Sequence, residues 1–367
     1  MEQPPAELEG FQADLAALTS LHGVSGYETN VIRWLRDRFA PYVDAVTIDP
    51  LGNLIATRAG PAEAPHLVVS AHADEIGLVV ASVEPDGFLR LEDFTGVQPR
   101  LLEGRFVRVG AAPGVSGVIG ARSAHGLNRD EWGRGARLEE LYLDLGVETA
   151  ADVAALGVRV GDPVVVVSEL QRLAATRVAG KGLDNRAGCV VLLHLLRRLH
   201  GRPLPCRLTA LVTVQEEAGL RGAHVAYVRL HPDLALVVDT RPAGGTPDTR
   251  SQTSLPRVGQ GVIVSCATSG YLVSRTVQDA MRAVAERQGI PYQWSVASGG
   301  SSDAAAAHLA ASGVATMDLG VPRRYAHSAV ELLDLRDLAA AITFAEAVVL
   351  QPPSAADLAF LGPPDGE

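Results

Sequence analysis

Leu67-Val68-Val69-Ser70-Ala71-His72-Ala73-Asp74-Glu75 decides how this chain is read. A short, unbroken apolar run suits a central strand covered on both faces, and this one runs directly into imidazole and carboxylate groups. In open α/β sheets the working groups collect at the carboxyl ends of strands. Three more predicted strands behave the same way. Residues 208–214 run into Gln215-Glu216-Glu217, residues 234–238 into Asp239, and residues 314–319 precede Arg324-Tyr325-Ala326-His327. A fifth segment, Gly182-Leu183-Asp184-Asn185-Arg186-Ala187-Gly188, opens a predicted helix over 184–199.

Outward from these segments, a βα rhythm holds at both ends of the chain. The first 40 residues carry apolar positions (Phe11, Leu15, Leu18, then Val31, Leu35, Phe39) at helical spacing, with Ser25 and Glu28 spaced as a capping box. Helices are expected over 273–287, 302–311 and 335–350. Between them the texture changes. Short β-rich runs at 88–91, 105–109, 115–119 and 164–167 are punctuated by Pro85-Asp86-Gly87, Pro113-Gly114 and Gly161-Asp162-Pro163, the pattern of a small β-domain or barrel. The expected organisation is one α/β domain, residues 1–75 and 171–367, interrupted by a β-rich domain at 76–170.

Composition limits the partners. Of 367 residues, 47% are hydrophobic and 20% charged, a globular balance, and the net charge of −10 repels phosphate backbones and anionic lipid. Nucleic acid and membrane are therefore not expected. MEQPPAELEG has neither a basic start nor an apolar run, so no signal peptide is expected. Cys189, Cys206 and Cys266 make no Cys-x-x-Cys pair, which suits reduced thiols in a cytoplasmic protein.

Imidazole and carboxylate at strand ends suit zinc, cobalt or manganese. Two cations bring four positive charges; Asp184, Glu217 and Asp239 with a hydroxide would balance them, and His72 and His327 complete the ligand shells without charge. In His72-x-Asp74 both side chains share one face of an extended segment, so Asp74 is expected to hold the ring's second nitrogen. Glu216, beside a ligating Glu217, is left free to take a proton from water. Taken singly, each residue also has a plain structural reading. His72 and Asp74 make a surface pair, Asp184 an N-cap, Glu216-Glu217 a solvated turn, Asp239 a loop-bonding acid and His327 a loop residue.

Long motifs occur in order: SAHADEIGLVV at 70–80, GFLRLEDFTGVQPRLLEGRFVRV at 87–109, LYLDLGVETAADVAALGVRVGDPV at 141–164, GKGLDNRAG at 180–188, VQEEAGLRGA at 214–223, VVDTRPAGGTPD at 237–248 and RRYAHSAVELLDLRDL at 323–338. Through them the chain resembles, from about Leu15 to Leu350, the dinuclear aminopeptidases of metallopeptidase family forty-two. These are the tetrahedral (TET), glutamyl and deblocking enzymes, some labelled endoglucanases. The resemblance implies a three-layer α/β/α metallopeptidase domain with an inserted small β-barrel-like domain that serves dimerisation. It implies two divalent ions per subunit, zinc first, with cobalt or manganese as alternatives. His72 and Asp239 would hold one ion, Glu217 and His327 the other, with Asp184 bridging, Glu216 as general base and Asp74 supporting His72. Peptides are the implied substrates, cleaved at the N-terminal bond, and dimers would build a hollow dodecamer.

Two stretches depart from that family's pattern, Gly299-Gly300-Ser301-Ser302-Asp303-Ala304-Ala305 and Arg257-Val258-Gly259-Gln260-Gly261-Val262, both expected near the substrate. Arg323-Arg324 suggests an acidic substrate side chain. Rival readings are a deacylase or deacetylase of N-blocked amino acids, a glycosidase built on Glu216 and Glu217, and a non-catalytic peptide-binding scaffold. The glycosidase leaves the histidines and the other acids idle, and the scaffold has no use for Glu216.

Overall fold

The computed structural model describes residues 5–362 apart from 124, 126–133 and 253. The first four residues of the N-terminal stretch, and part of the expected 76–170 insertion, therefore lie outside the described residues.

The chain opens with α1 (Ala6–Ser20) and α2 (Thr29–Phe39), whose buried faces carry the apolar positions named above. The capping box does not form. Glu28 occupies the N-cap position without a side-chain cap bond. Ser25 Oγ instead donates to Asp74, and the Glu28 carboxylate accepts from the N–H groups of Gly26 and Gln215. Charge-assisted bonds to a distant turn displace the local cap.

Next come β1 (Ala45–Ile48), β2 (Leu54–Arg58) and β3 (His66–His72). Then β4 (Leu78–Val83), β5 (Leu89–Asp93), β6 (Phe106–Val109), β7 (Val115–Gly120), β8 (Tyr142–Asp144) and β9 (Pro163–Val166) close a barrel in the order β4-β5-β8-β7-β6-β9, with α3 (Ala150–Ala155) before β9. It has its own apolar interior of Leu78, Leu89, Val107, Ile119, Leu143 and Val164.

The chain continues through β10 (Gln171–Leu173), β11 (Arg177–Gly180), α4 (Leu183–Leu199), β12 (Arg207–Thr213), α5 (Arg221–Leu230) and β13 (Leu234–Pro242). It ends with β14 (Val262–Ala267), α6 (Arg275–Gln288), β15 (Tyr292–Val296), α7 (Asp303–His308), β16 (Ala315–Arg323), β17 (Glu331–Asp334), α8 (Leu335–Leu350) and α9 (Ala355–Leu358). An eight-stranded sheet runs β1-β2-β12-β3-β13-β16-β14-β15, and β10-β11-β17 form a smaller one. At the centre of the large sheet β12, β3, β13 and β16 are mutually parallel neighbours.

These central strands are buried at nearly every residue, as a strand covered on both faces must be. On one side α4 lies along β3 and β13 and packs against α1 and α8; on the other, α5 and α7 pack together over β12, β13 and β16. The result is the expected three-layer α/β/α arrangement. Each fully buried Val or Leu of β3 contributes roughly 1.5–3 kcal/mol. That core fixes where the parallel strands end.

Candidate active site

Parallel register brings the strand ends side by side. His72 at the end of β3 stands opposite Thr213 at the end of β12, and the Ala73 N–H bonds the Thr213 carbonyl at 2.8 Å. Asp239 in β13 stands opposite Gly320 in β16. Four residues past β16 lies His327, in a turn where Tyr325 and His327 both take positive φ, 62° and 53°. Asp184 does not cap α4: Gly182 holds the N-cap position, and Asp184 keeps non-helical backbone angles with its carboxylate turned to the strand ends.

His72 Nε2 lies 3.2 Å from Asp184 Oδ1 and 3.5 Å from Asp239 Oδ1, while His327 Nε2 lies 3.4 Å from Glu217 Oε2 and 3.9 Å from Asp184 Oδ2. Two potential metal-ligand triads follow, His72–Asp184–Asp239 and Asp184–Glu217–His327, each with its ligand atoms within 4.8 Å of one another. Asp184 is common to both. A further grouping, His72–Glu216–Glu217, is also within reach, because Glu216 Oε2 stands 3.9 Å from His72 Nε2. Asp184 Oδ1 and Glu217 Oε1 are buried without a hydrogen-bond partner among the described residues. Buried carboxylate oxygens left this way are costly unless a cation takes them up, so the donor set fits divalent metal.

Each imidazole has an oxygen behind it. Asp74 Oδ1 lies 3.3 Å from His72 Nδ1, and the Gly96 carbonyl oxygen, on a loop of the barrel, lies 3.4 Å from His327 Nδ1. Oxygens so placed orient an imidazole whose other nitrogen is to bind a metal. Gly96 takes φ 83°, and a Cβ there would stand 3.3 Å from the His327 ring. The turn bearing Glu216 is held by side chains throughout. Consecutive N–H groups of Val214, Gln215, Glu216 and Glu217 donate to Asn53 Oδ1 (3.1 Å), Glu28 Oε1 (2.9 Å), Asp74 Oδ1 (3.0 Å) and Asp74 Oδ2 (3.1 Å).

Electrostatics divides the acids. Burial drives the Glu216 carboxyl well above its ordinary range, with Asp239, Asp303 and Asp74 adding to the shift against the pull of His72. Glu217 is raised in the same way by burial and then by Asp184. Burial, the largest single influence, opposes ionisation of Asp184, but the Arg323 guanidinium, 2.7 Å away, together with His72 and His327 overcomes it and holds that carboxyl well below the usual range. Arg323 is buried, and its other arm bonds Glu331, whose Oε2 accepts the Asp184 N–H at 2.9 Å. It lines the cleft, with its two charged arms already engaged by Asp184 and Glu331.

Glu28, which belongs to none of the potential metal-ligand groupings, is pushed up to about 7 by burial and by Asp74. Its folded state therefore binds the proton more tightly than the unfolded chain, with its ordinary value of 4.5. This contribution to stability is complete below that value and is lost as pH rises through about 7. Glu28→Gln is expected to shrink the drop in melting temperature between pH 5 and pH 8. An unchanged drop would show that Glu28 titrates normally.

A cleft of about 820 Å³ opens over the cluster, walled by Gly96 and Gln98 from the barrel side, by Thr240, Arg241 and Pro242, and by Gly300, Ser301 and Ala326. The two departing stretches fare differently. Gly300 and Ser301 line the cleft, and behind them the Ser302 hydroxyl donates to Asp318 at 2.6 Å and accepts from Arg241 at 2.9 Å. Residues 257–262 are not among the cleft-lining residues described; Asp337 holds that loop away through the Gly259 and Gly261 N–H groups.

The M42 glutamyl aminopeptidase profile matches residues 52–344. The chain is 32% identical over 344 residues to a glutamyl aminopeptidase of Lactococcus lactis, spanning 91% of this chain and 94% of that protein. It is 32% identical over 332 residues to a lysyl aminopeptidase of Pyrococcus furiosus, spanning 89% and 93%. Among solved structures, an aminopeptidase from the archaeon Desulfurococcus kamchatkensis superposes with a TM-score of 0.90 at 33% identity, over 96% of this chain and 97% of that one. The TET1 peptidase of Pyrococcus horikoshii, which can assemble into a tetrahedron or a large octahedral shell, gives 0.83 at 30%, over 93% and 99%.

Proposed function

Because this chain belongs to the M42 glutamyl aminopeptidase family and is an aminopeptidase that works with divalent metal ions, we propose that its strand-end cluster is a two-metal peptidase centre. His72 and Asp239 would hold one ion and Glu217 and His327 the other, with Asp184 within reach of both sets. The observation that carries the reading is the pair of ligand triads sharing Asp184.

When bound, a divalent pair polarises the scissile carbonyl and lowers the pKa of water toward about 7. The chain's own groups do the rest. Glu216 accepts a proton from the attacking water and returns it to the departing amine nitrogen as the C–N bond breaks. Asp74 and the Gly96 carbonyl keep the two imidazole nitrogens aimed inward. Cleavage removes the first residue of a peptide. Relatives bearing glutamyl and lysyl names share similar identity with this chain, so neither preference carries over.

Residues 76–170 are read as the inserted domain, serving dimerisation, with dimers building a dodecamer. The exposed Phe94, Phe106, Val160 and Val167 at and near the barrel support self-association. Zinc is the proposed ion, with cobalt or manganese as alternatives on the same oxygen and nitrogen donors. No described helix is long and apolar enough to cross a membrane. The unpaired Cys189, Cys206 and Cys266 suit a reducing cytoplasm.

Chelation followed by add-back tests the centre. Stripped protein is expected to lose peptidase activity, and zinc, cobalt or manganese to restore it at two ions per chain. Full activity with no metal bound, or restoration complete at one ion, would contradict the two-metal reading.

A further inference from the structure

Glu28 stands at the mouth of α2, before the segment that the family profile matches, yet its carboxylate reaches the turn carrying the proposed base. That turn leaves the sheet at Thr213, and β3 no longer supplies its partners. Gln215 within it adopts φ 56°, a left-handed conformation that a residue with a side chain holds only when its surroundings fix it. Four successive N–H groups of the turn point to side-chain oxygens from three separate parts of the chain: Asn53, Glu28 and Asp74.

Each of these supports is itself secured. Asn53 Nδ2 donates to Asp49 Oδ2 at 2.7 Å and to the Gly222 carbonyl at 3.0 Å. Ser25 Oγ donates to Asp74. Glu28 Oε1 also accepts the Gly26 N–H at 2.8 Å, and Glu28 is 5% exposed. A single oxygen thus ties the N-terminal loop to the residue immediately before Glu216.

We infer that Glu28 is a positioning residue for the reaction: it fixes the left-handed Gln215 and so aims Glu216 into the cleft. The inference rests on Glu216 being the base. Glu28 touches neither substrate nor metal ligand, and its part lies in where its Oε1 sits, because the two N–H groups need an acceptor at that point. An amide oxygen meets the need, whereas a carboxylate shortened by one methylene does not.

Three variants separate position from charge: Glu28→Gln, Glu28→Asp and Glu28→Ala, each scored for kcat, KM, metal content and melting temperature. Misplacing a reacting group by about 1 Å costs on the order of 100-fold. Glu28→Asp and Glu28→Ala are therefore expected to lose about 10- to 100-fold in kcat, with KM within about twofold and metal content unchanged. Glu28→Gln is expected to keep most of kcat. If Glu28→Ala does not fold, the contrast between Gln and Asp decides.

Equal kcat in Asp and wild type, or a Gln variant as impaired as Asp, would overturn the inference. Metal loss in the Asp variant would overturn it too, since Glu28 would then be supporting the ligands. Failure of the parent reading looks different: Glu216→Gln would itself retain kcat.

Discussion

Glu216→Gln is expected to lower kcat by about 10²- to 10⁴-fold, the range of general acid–base catalysis, while both metal ions stay bound. Gln matches Glu in shape, so the turn from Val214 to Glu217 keeps its four N–H bonds to Asn53, Glu28 and Asp74. What disappears is the ability to accept a proton. The distinction matters because Glu216 Oε2, 3.9 Å from His72 Nε2, is also near enough to a second imidazole–carboxylate grouping to be a ligand. Sharing of Asp184 by the other two triads favours Glu217 as ligand and Glu216 as base. Near wild-type kcat would remove the base assignment. Loss of an ion would make Glu216 a ligand instead.

Asp184→Ala is expected to lose metal as well as activity. Changing a residue that merely supports a ligand typically costs 10- to 100-fold in affinity or activity, so removing a carboxylate proposed to serve both ions should cost at least about 100-fold in metal affinity. The same substitution leaves the buried Arg323 guanidinium with Glu331 as its remaining acidic partner. Some loss of thermal stability is therefore expected alongside the metal loss. Metal content by mass spectrometry, measured on protein still folded by circular dichroism, checks the claim. Two ions bound at wild-type affinity would reduce Asp184 to a structural acid.

Much of the candidate cluster was legible because strand ends announce themselves in sequence. His72, Glu217 and Asp239 each follow an apolar run whose burial on both faces can be read directly, and parallel register then brings their ends together. The barrel was legible from its punctuating Pro and Gly residues. Strands β14 and β15 were not anticipated. The burial pattern of Tyr292–Val296 is that of a half-exposed edge strand, whose composition is less constrained than that of a central one.

The supporting groups were harder to read, for a physical reason. Ser25 and Glu28 have the spacing of a local cap, and nothing nearby says that a carboxylate 187 positions away in sequence order from Gln215 will bond its N–H instead. The hydrogen bond behind His327 ends on a backbone carbonyl, that of Gly96, which no side-chain pattern encodes. Arg323 looks like a surface cation in sequence. Only the folded chain reveals Asp184 and Glu331 as its partners.

The most direct test of the whole account is a mixed peptide pool, each peptide present in free and N-acetylated form, incubated with metal-loaded protein and followed by mass spectrometry. The expected result is stepwise loss of first residues from the free peptides alone, with the order of loss reporting the side-chain preference. Removal of acetyl groups, or cleavage inside chains, would contradict an aminopeptidase centre. No cleavage at all, with two ions confirmed bound per chain, would leave a peptide-binding scaffold in its place.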